Sequence, residues 1–228
     1  MLCPLCNSKH VEAFRHSHIK QSAECLAYLC VICDLIFKDP ADHLDWSEQK
    51  QRYDTHSNQL GDAGYEKFLG QLVGPLLAAL ALGSSELSKN QLRGLDWGSG
   101  PSNVLQQLIQ RENLKMEIYD PVYQPKFPVG LFDFITCTEV VEHFQNPAQS
   151  FQEIDRLLKV GGLFAGLTSF HQGAKHFENW WYARDTTHVV FYSEKTFQWI
   201  AKNWSYEILQ LSSPIFVFKK IKNLNFKI

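Results

Sequence analysis

The chain has 228 residues, a formal net charge of −2 and 45% hydrophobic residues. That suffices for one full domain with a sizeable core plus a small appendage, and it gives no overall electrostatic pull toward nucleic acid, so no DNA partner is expected. No apolar run reaches the ~18 residues needed to cross a bilayer, and no charged start with an apolar stretch marks a secretory leader, so the expectation is a cytoplasmic protein without membrane association.

Four of the six cysteines form two knuckles near the N-terminus, Cys3-x2-Cys6 and Cys30-x2-Cys33. Each knuckle brings two thiolates to one side, and the pair completes a closed tetrahedron, the pattern of a zinc ribbon. Residues 26–29 and 35–37 flank the second knuckle as strands. A disulfide framework is the competing reading, but an otherwise intracellular-looking chain favours structural zinc in a reducing compartment. His10, His16, His18 and Cys25 lie between the knuckles and leave room for one exchanged ligand; Cys25 is expected to pack as a small apolar residue. The ribbon-like domain spans residues 1–40 and ends at Asp39-Pro40.

Residues 41–62 are polar and read as a helical or irregular connector. Residues 65–82 are apolar with helical periodicity through Phe68, Leu69, Leu72, Leu76, Leu77 and Leu80, with a kink expected at Gly74-Pro75. A Gly/Ser loop over 83–90 closes this middle part, residues 41–90. Residues 92–97 are short, mostly apolar and contain Asp96, which suits a buried parallel strand. Gly98 and Gly100 allow a tight turn and a close ligand approach, Pro101 suits a helix start, and Val104, Leu105 and Leu108 supply an apolar face. A strand, a glycine turn and a helix N-terminus make a nucleotide-type cofactor site. Asn103 stands where the dinucleotide fingerprint places a third glycine.

Asp120 closes the next apolar run, about 20 residues beyond the turn, where an acid can bind ribose hydroxyls. Only 11 residues separate it from Phe132, and Pro121, Pro125 and Pro128 fall among them, so no regular helix is expected there. A strand over 132–138 carries Cys137 into the core. Glu139, Glu142 and His143 follow at i, i+3 and i+4, positions that share one face if a helical turn starts there. A helix over 147–158 and a strand over 163–169 come next. The aromatic loop 179–192 then offers Trp180, Trp181, Tyr182, Arg184, Asp185 and His188 as either a substrate wall or a core plug. A helix over 196–202 and an antiparallel pair, 206–211 with 215–221, end the chain. Lys219, Lys220, Lys222 and Lys227 are expected to guard an edge strand.

The Asp96-x-Gly98-x-Gly100 turn, Asp120, the 132–147 stretch and the Leu157-Leu-Lys-Val-Gly-Gly-Leu-Phe run together resemble class I S-adenosylmethionine-dependent methyltransferases, over about residues 92–212. The resemblance implies an α/β, Rossmann-like methyltransferase domain over 91–228. Its sheet edge would be shortened, because the gap after Asp120 leaves no room for a further helix and strand. It also implies that Asp96, Gly98 and Gly100 hold the methionine end of the cofactor, that Asp120 holds the ribose, and that Glu139, at the strand end facing the reaction centre, also binds the cofactor. The Tyr53–Asn58 region, written Tyr-Asp-Thr-His-Ser-Asn, would fold over the cofactor as a lid.

Glu-x-x-Glu-His also resembles the metal-holding motif of small-RNA 3′-terminal 2′-O-methyltransferases and of ubiquinone-pathway O-methyltransferases. That likeness implies a second divalent metal at Glu139, Glu142, His143 and His188. The alternative is catalysis by His143 or His188 as a base, with Trp181, Tyr182, Arg184 and Asp185 binding the acceptor. The expected activity is methyl transfer to a small molecule or RNA. A catalytically silent relative whose ribbon docks a protein or RNA partner is the competing class.

Overall fold

The computed structural model describes residues 1–17, 24–55, 60–83 and 89–224. The ribbon contributes β1 (Val11–Ser17), β2 (Glu24–Cys30) and β3 (Ile36–Lys38). A single 3-10 turn, Pro40–Asp42, leads to α1 (Trp46–Tyr53). This helix starts because Asp45 and Glu48 form a reciprocal capping box that satisfies two otherwise orphaned amides. Next comes α2 (Ala63–Gly83), which continues through Pro75 without ending.

The central domain then runs β4 (Arg93–Trp97), α3 (Val104–Arg111), β5 (Lys115–Tyr119), β6 (Phe132–Thr138), α4 (Pro147–Leu157) and β7 (Leu158–Leu167). It closes with α5 (Ala174–Phe177), β8 (Val190–Phe191), α6 (Glu194–Asn203), β9 (Tyr206–Ser212) and β10 (Ile215–Lys220).

Six strands form one mixed sheet in the order β5-β4-β6-β7-β10-β9. β5, β4, β6 and β7 are parallel, and β10 and β9 add on antiparallel. One face is covered by α2 and α3, whose Leu69, Leu72, Leu76, Val104, Leu105 and Ile109 pack against Phe134, Leu163, Ala165 and Val217. On the other face, Phe151 and Ile154 of α4 and Phe197 and Ile200 of α6 meet Ile135, Cys137, Phe164, Phe216 and Phe218. Alternate residues of β7 point to opposite faces, as the pleat requires, and its Leu163–Leu167 stretch is buried and apolar on both. This is the expected α/β, Rossmann-like methyltransferase fold. β5 is the sheet's edge, and residues 121–131 form turns instead of a helix and strand.

Three local expectations are corrected. Pro101 does not open a helix: α3 begins at Val104, and Asn103 serves as its N-cap with φ +50°, a left-handed conformation that asparagine tolerates. β7 begins at Leu158 and includes a register shift opposite Phe132 and Phe134. Lys220 guards no edge: β10 lies inside the sheet, and its ammonium is buried, donating to the Asp155 carboxylate at 3.1 Å and to the Asp155 and Leu158 carbonyls. Lys227 lies outside the described residues.

The ribbon is not a separate bead. β1, β2 and β3 continue into β8, giving a second sheet ordered β1-β2-β3-β8. Cys3, Cys30, Cys33, Leu35 and Phe37 belong to the same apolar cluster as Val189, Tyr192 and Phe197.

Candidate active site

A cavity of about 630 Å³ opens above the carboxyl ends of β4, β5 and β6, where ligands bind in open α/β sheets. Its floor is the glycine turn. Gly98 has φ +81° and donates its amide to the Tyr119 carbonyl; a Cβ there would overlap Val140. Gly100 has φ +64°, donates its amide to Asp120 Oδ2 at 3.0 Å, and would place a Cβ into open space. Gly98 thus answers to the protein's own packing, whereas Gly100 faces the cavity.

Asp96 is buried and accepts the Thr136 hydroxyl at 2.8 Å; burial pushes its carboxyl up to about 7. Asp120 Oδ1 accepts the amides of Val122 and Tyr123, a local turn that fixes the carboxylate at the cavity wall.

At the other end, Glu139 takes φ +53° and Val141–His143 forms a 3-10 turn, so the three residues do not share the face of an α-helix. The effect is to send Glu142 inward. Its side chain is fully buried; Oε1 accepts the Tyr182 hydroxyl at 2.5 Å, and Oε2 has no partner among the described residues. Burial raises both Glu139 and Glu142 to about 7.

His143 Nδ1 stands 2.9 Å from the Thr187 carbonyl and His188 Nδ1 stands 2.8 Å from the Tyr182 carbonyl. A carbonyl only accepts, so both protons sit on Nδ1 and both Nε2 lone pairs are free. Each Nε2 is 4.0 Å from Glu142 Oε1, and the three ligand atoms lie within 4.8 Å of one another. Burial lowers His188 to about 3, which keeps it neutral.

Asp96, Gly98, Gly100, Asp120, Glu139, His143 and His188 all line the cavity. Trp181, Tyr182, Arg184 and Asp185 do not. Trp181 points outward, 67% exposed, and Tyr182 is buried behind the cavity as the donor to Glu142. Asp185 accepts the Thr187 amide and hydroxyl and the Arg52 guanidinium; although burial opposes it, these hold its carboxyl well below the usual range. Arg184 donates to the Asn179 carbonyl.

A further wall of the cavity comes instead from α1 and α2, through Trp46, Gln49, Tyr53, Tyr65 and Phe68. Tyr53, singled out as a lid residue, meets His143 edge-on at 5.4 Å. The other four were not singled out as site residues; the i, i+3 spacing of Tyr65 and Phe68 on an amphipathic helix carries the only signal for them, and core positions carry the same one. His56, Ser57 and Asn58 lie outside the described residues.

The four knuckle cysteines converge as a second cluster, unbridged, with all sulfurs within 4.8 Å. Cys3 and Cys33 Sγ are 3.5 Å apart, and Cys6 and Cys30 are 3.4 Å apart. A tetrahedron with ~2.3 Å metal–sulfur bonds spaces its sulfurs at about 3.8 Å, so the cluster fits zinc with little movement. The neighbouring Cys33 thiol, hydrogen-bonded to Cys3, lowers the Cys3 thiol to about 6. Among the described residues no histidine joins this group.

A family model described as "Methyltransferase domain" matches residues 65–211. No curated protein matches the chain. Among solved structures, the DszA carbon methyltransferase is 17% identical with a TM-score of 0.48, covering 70% of this chain and 55% of that one. PigF, solved with S-adenosylhomocysteine, is 16% identical with a TM-score of 0.43, covering 78% and 69%. The YcgJ protein of Bacillus subtilis is 20% identical with a TM-score of 0.39, covering 59% and 70%.

Proposed function

Because the chain belongs to the methyltransferase-domain family through residues 65–211, we propose that it is an S-adenosylmethionine-dependent methyltransferase whose acceptor sits between the Glu142–His143–His188 corner and α1. The observation that carries this reading is the cradle around Gly100. A bare backbone faces the cavity, with a buried carboxylate, Asp96, on one side and a fixed one, Asp120, on the other. Asp96 suits the cofactor's amino group, and Asp120 suits the ribose hydroxyls. The base then lies between Tyr119 and the polar side of α4, where Gln149 and Glu153 line the cavity. A silent relative has no need of such an open turn.

Bound there, the cofactor supplies an already activated methyl group, so the chain's task is alignment and, for most acceptors, removal of a proton. His143 is suited to that: its Nδ1–H is committed to Thr187, which leaves Nε2 to take a proton, and the residue lines the cavity beside Tyr53. No lysine or arginine is among the described lining residues, which favours a small acceptor over the phosphate backbone of RNA. No described helix is long and apolar enough to cross a membrane, and a cytoplasmic location remains part of the proposal.

A second reading is favoured by one observation. Glu142 is buried with Oε2 unpartnered among the described residues, and its Oε1 lies 4.0 Å from two imidazoles whose Nδ1 protons are held by backbone carbonyls, the arrangement typical of metal-ligating histidines. Glu142, His143 and His188 would then hold a divalent cation that polarises an acceptor oxygen. Glu139 lies outside this group of three. The knuckle cysteines are proposed to hold structural zinc.

The test is to incubate the protein with methyl-labelled cofactor and cell extract fractionated into RNA, protein and small molecules. Label should enter the small-molecule fraction. Absence of label in every fraction, from protein that binds S-adenosylhomocysteine, would favour the silent reading.

A further inference from the structure

Both ends of the segment that carries His188 are tied to the ribbon. At its start, the buried Lys38 ammonium donates to the Asp185 carbonyl at 2.8 Å. At its end, the Ser193 hydroxyl donates to Asp34 Oδ2 at 2.5 Å. Between these latches, β8 pairs with β3, Phe37 opposite Val190 and Ile36 opposite Phe191, and the Lys38 amide donates to the Val189 carbonyl at 2.9 Å. Asp34 directly follows the second cysteine knuckle and Lys38 ends the short strand after it, so the thiol cluster stands at the root of this clamp.

The clamped segment in turn holds the reaction corner. Thr187 supplies the carbonyl that orients His143, and the Asp185 carboxylate holds Thr187. The Val189 amide donates to the Glu142 carbonyl at 2.9 Å, and the Tyr192 hydroxyl donates to the Val141 carbonyl at 2.9 Å. Tyr182, which donates to Glu142, packs in one apolar cluster with Ala27 and Ile36 of the ribbon. Among the described residues the cofactor cradle has no hydrogen bond to the ribbon: Gly98, Gly100 and Asp120 bond to one another, to Ser99 and to residues 119–124.

We propose that the ribbon is a positioning element of the acceptor site. Lys38 and Asp34 hold residues 185–193 so that His143, His188 and Glu142 converge, and loosening the ribbon disorders that corner while the cofactor cradle stays intact. The inference rests on the reading of this corner as the acceptor end. Lys38 acts through the segment it holds and is a positioning residue.

Hydrogen–deuterium exchange on the full chain, paired with calorimetric titration of S-adenosylhomocysteine, tests it. Lys38→Met removes the donor and keeps the buried stem. Exchange should rise about tenfold or more over 185–192 and over 141–143, with 93–97 unchanged and affinity within about twofold of the unsubstituted protein. Unchanged exchange over 185–192 would overturn the proposal. So would a rise throughout the chain with loss of binding, since that marks Lys38 as a general fold residue. Should Lys38→Met fail to fold, Asp34→Asn serves: asparagine tolerates the left-handed φ of +61° at this position but weakens the bond to Ser193, and exchange should rise over 189–193 alone. If the unsubstituted protein binds no S-adenosylhomocysteine, the cofactor reading fails by itself, and the exchange comparison still decides the coupling.

Discussion

The two ends of the cavity are assembled in opposite ways. At the proposed cofactor end, Asp96, Gly98, Gly100 and Asp120 come from one contiguous strand–turn–helix–strand unit, and backbone amides within that unit bond to its own carbonyl and carboxylate oxygens. At the proposed acceptor end, Tyr53, Glu142, His143 and His188 come from three distant stretches, and the ribbon bonds to the segment that carries His188. The first unit is set mainly by local bonds, with one side-chain bond outward from Thr136 to Asp96, and should tolerate damage in the ribbon. A corner built from distant pieces inherits the stability of every piece, so substitutions at the two ends should separate cofactor binding from turnover.

The largest effect belongs to the acceptor end. His143→Ala should lower turnover by ~10²–10⁴-fold, the usual contribution of a general base, while S-adenosylhomocysteine affinity stays within about twofold. Glu142→Gln sharpens the comparison. With histidine as base its effect should be much smaller; with a divalent cation at this corner it should match His143→Ala, and a chelator should stop turnover. Full activity in a His143→Ala/His188→Ala double variant would exclude both mechanisms.

Next is the cofactor end. Gly100→Asn should weaken S-adenosylhomocysteine binding by about 100-fold, or roughly 2.7 kcal/mol, because the new side chain projects into the open cavity. Asparagine tolerates a φ of +64°, so melting temperature should hardly change. Gly98→Val is a poorer probe, since its side chain would strike Val140 and disturb the fold itself.

Tyr182→Phe should cost ~1–3 kcal/mol of stability in a thermal melt, because it leaves the buried Glu142 carboxylate without its donor. Binding of S-adenosylhomocysteine should not change.

The smallest effect is a pH dependence. Burial raises Asp96 to about 7, and a cofactor ammonium bonds well only to the charged form. Affinity should therefore rise as pH increases through 7 and fall below it, by at most about tenfold per unit. In the free protein the sign is reversed: the raised carboxyl contributes stability below its unfolded value of 3.8 and loses it as pH rises through 7. The cofactor's stabilising effect should accordingly be larger at pH 8 than at pH 6.

Sequence alone made the cofactor end legible because glycine turns, strand ends and an acid at fixed spacing are local backbone properties. The two knuckles were legible for the same reason, and the missing sheet edge followed from three prolines in a short gap. What stayed hidden depends on distant partners. Lys220 reads as an edge lysine until Asp155 is placed beside it, 65 positions away. Trp181, Tyr182, Arg184 and Asp185 read as a substrate wall because the loop leaves the correct end of the sheet. The β3–β8 pairing then turns them away from the cavity, and α1 and α2 supply the wall instead. The Glu139–His143 spacing implied a shared helical face, whereas a left-handed Glu139 and a 3-10 turn replace the expected α-turn and leave Glu139 outside the Glu142–His143–His188 group.

The central claim is that the cradle of Asp96, Gly100 and Asp120 takes S-adenosylmethionine. Calorimetric titration of the unsubstituted protein with S-adenosylhomocysteine at pH 8, with Gly100→Asn and NAD as controls, tests it most directly. S-adenosylhomocysteine should bind at a single site, about 100-fold more weakly in Gly100→Asn, and NAD should not bind. No heat with S-adenosylhomocysteine alongside clear binding of NAD would contradict it.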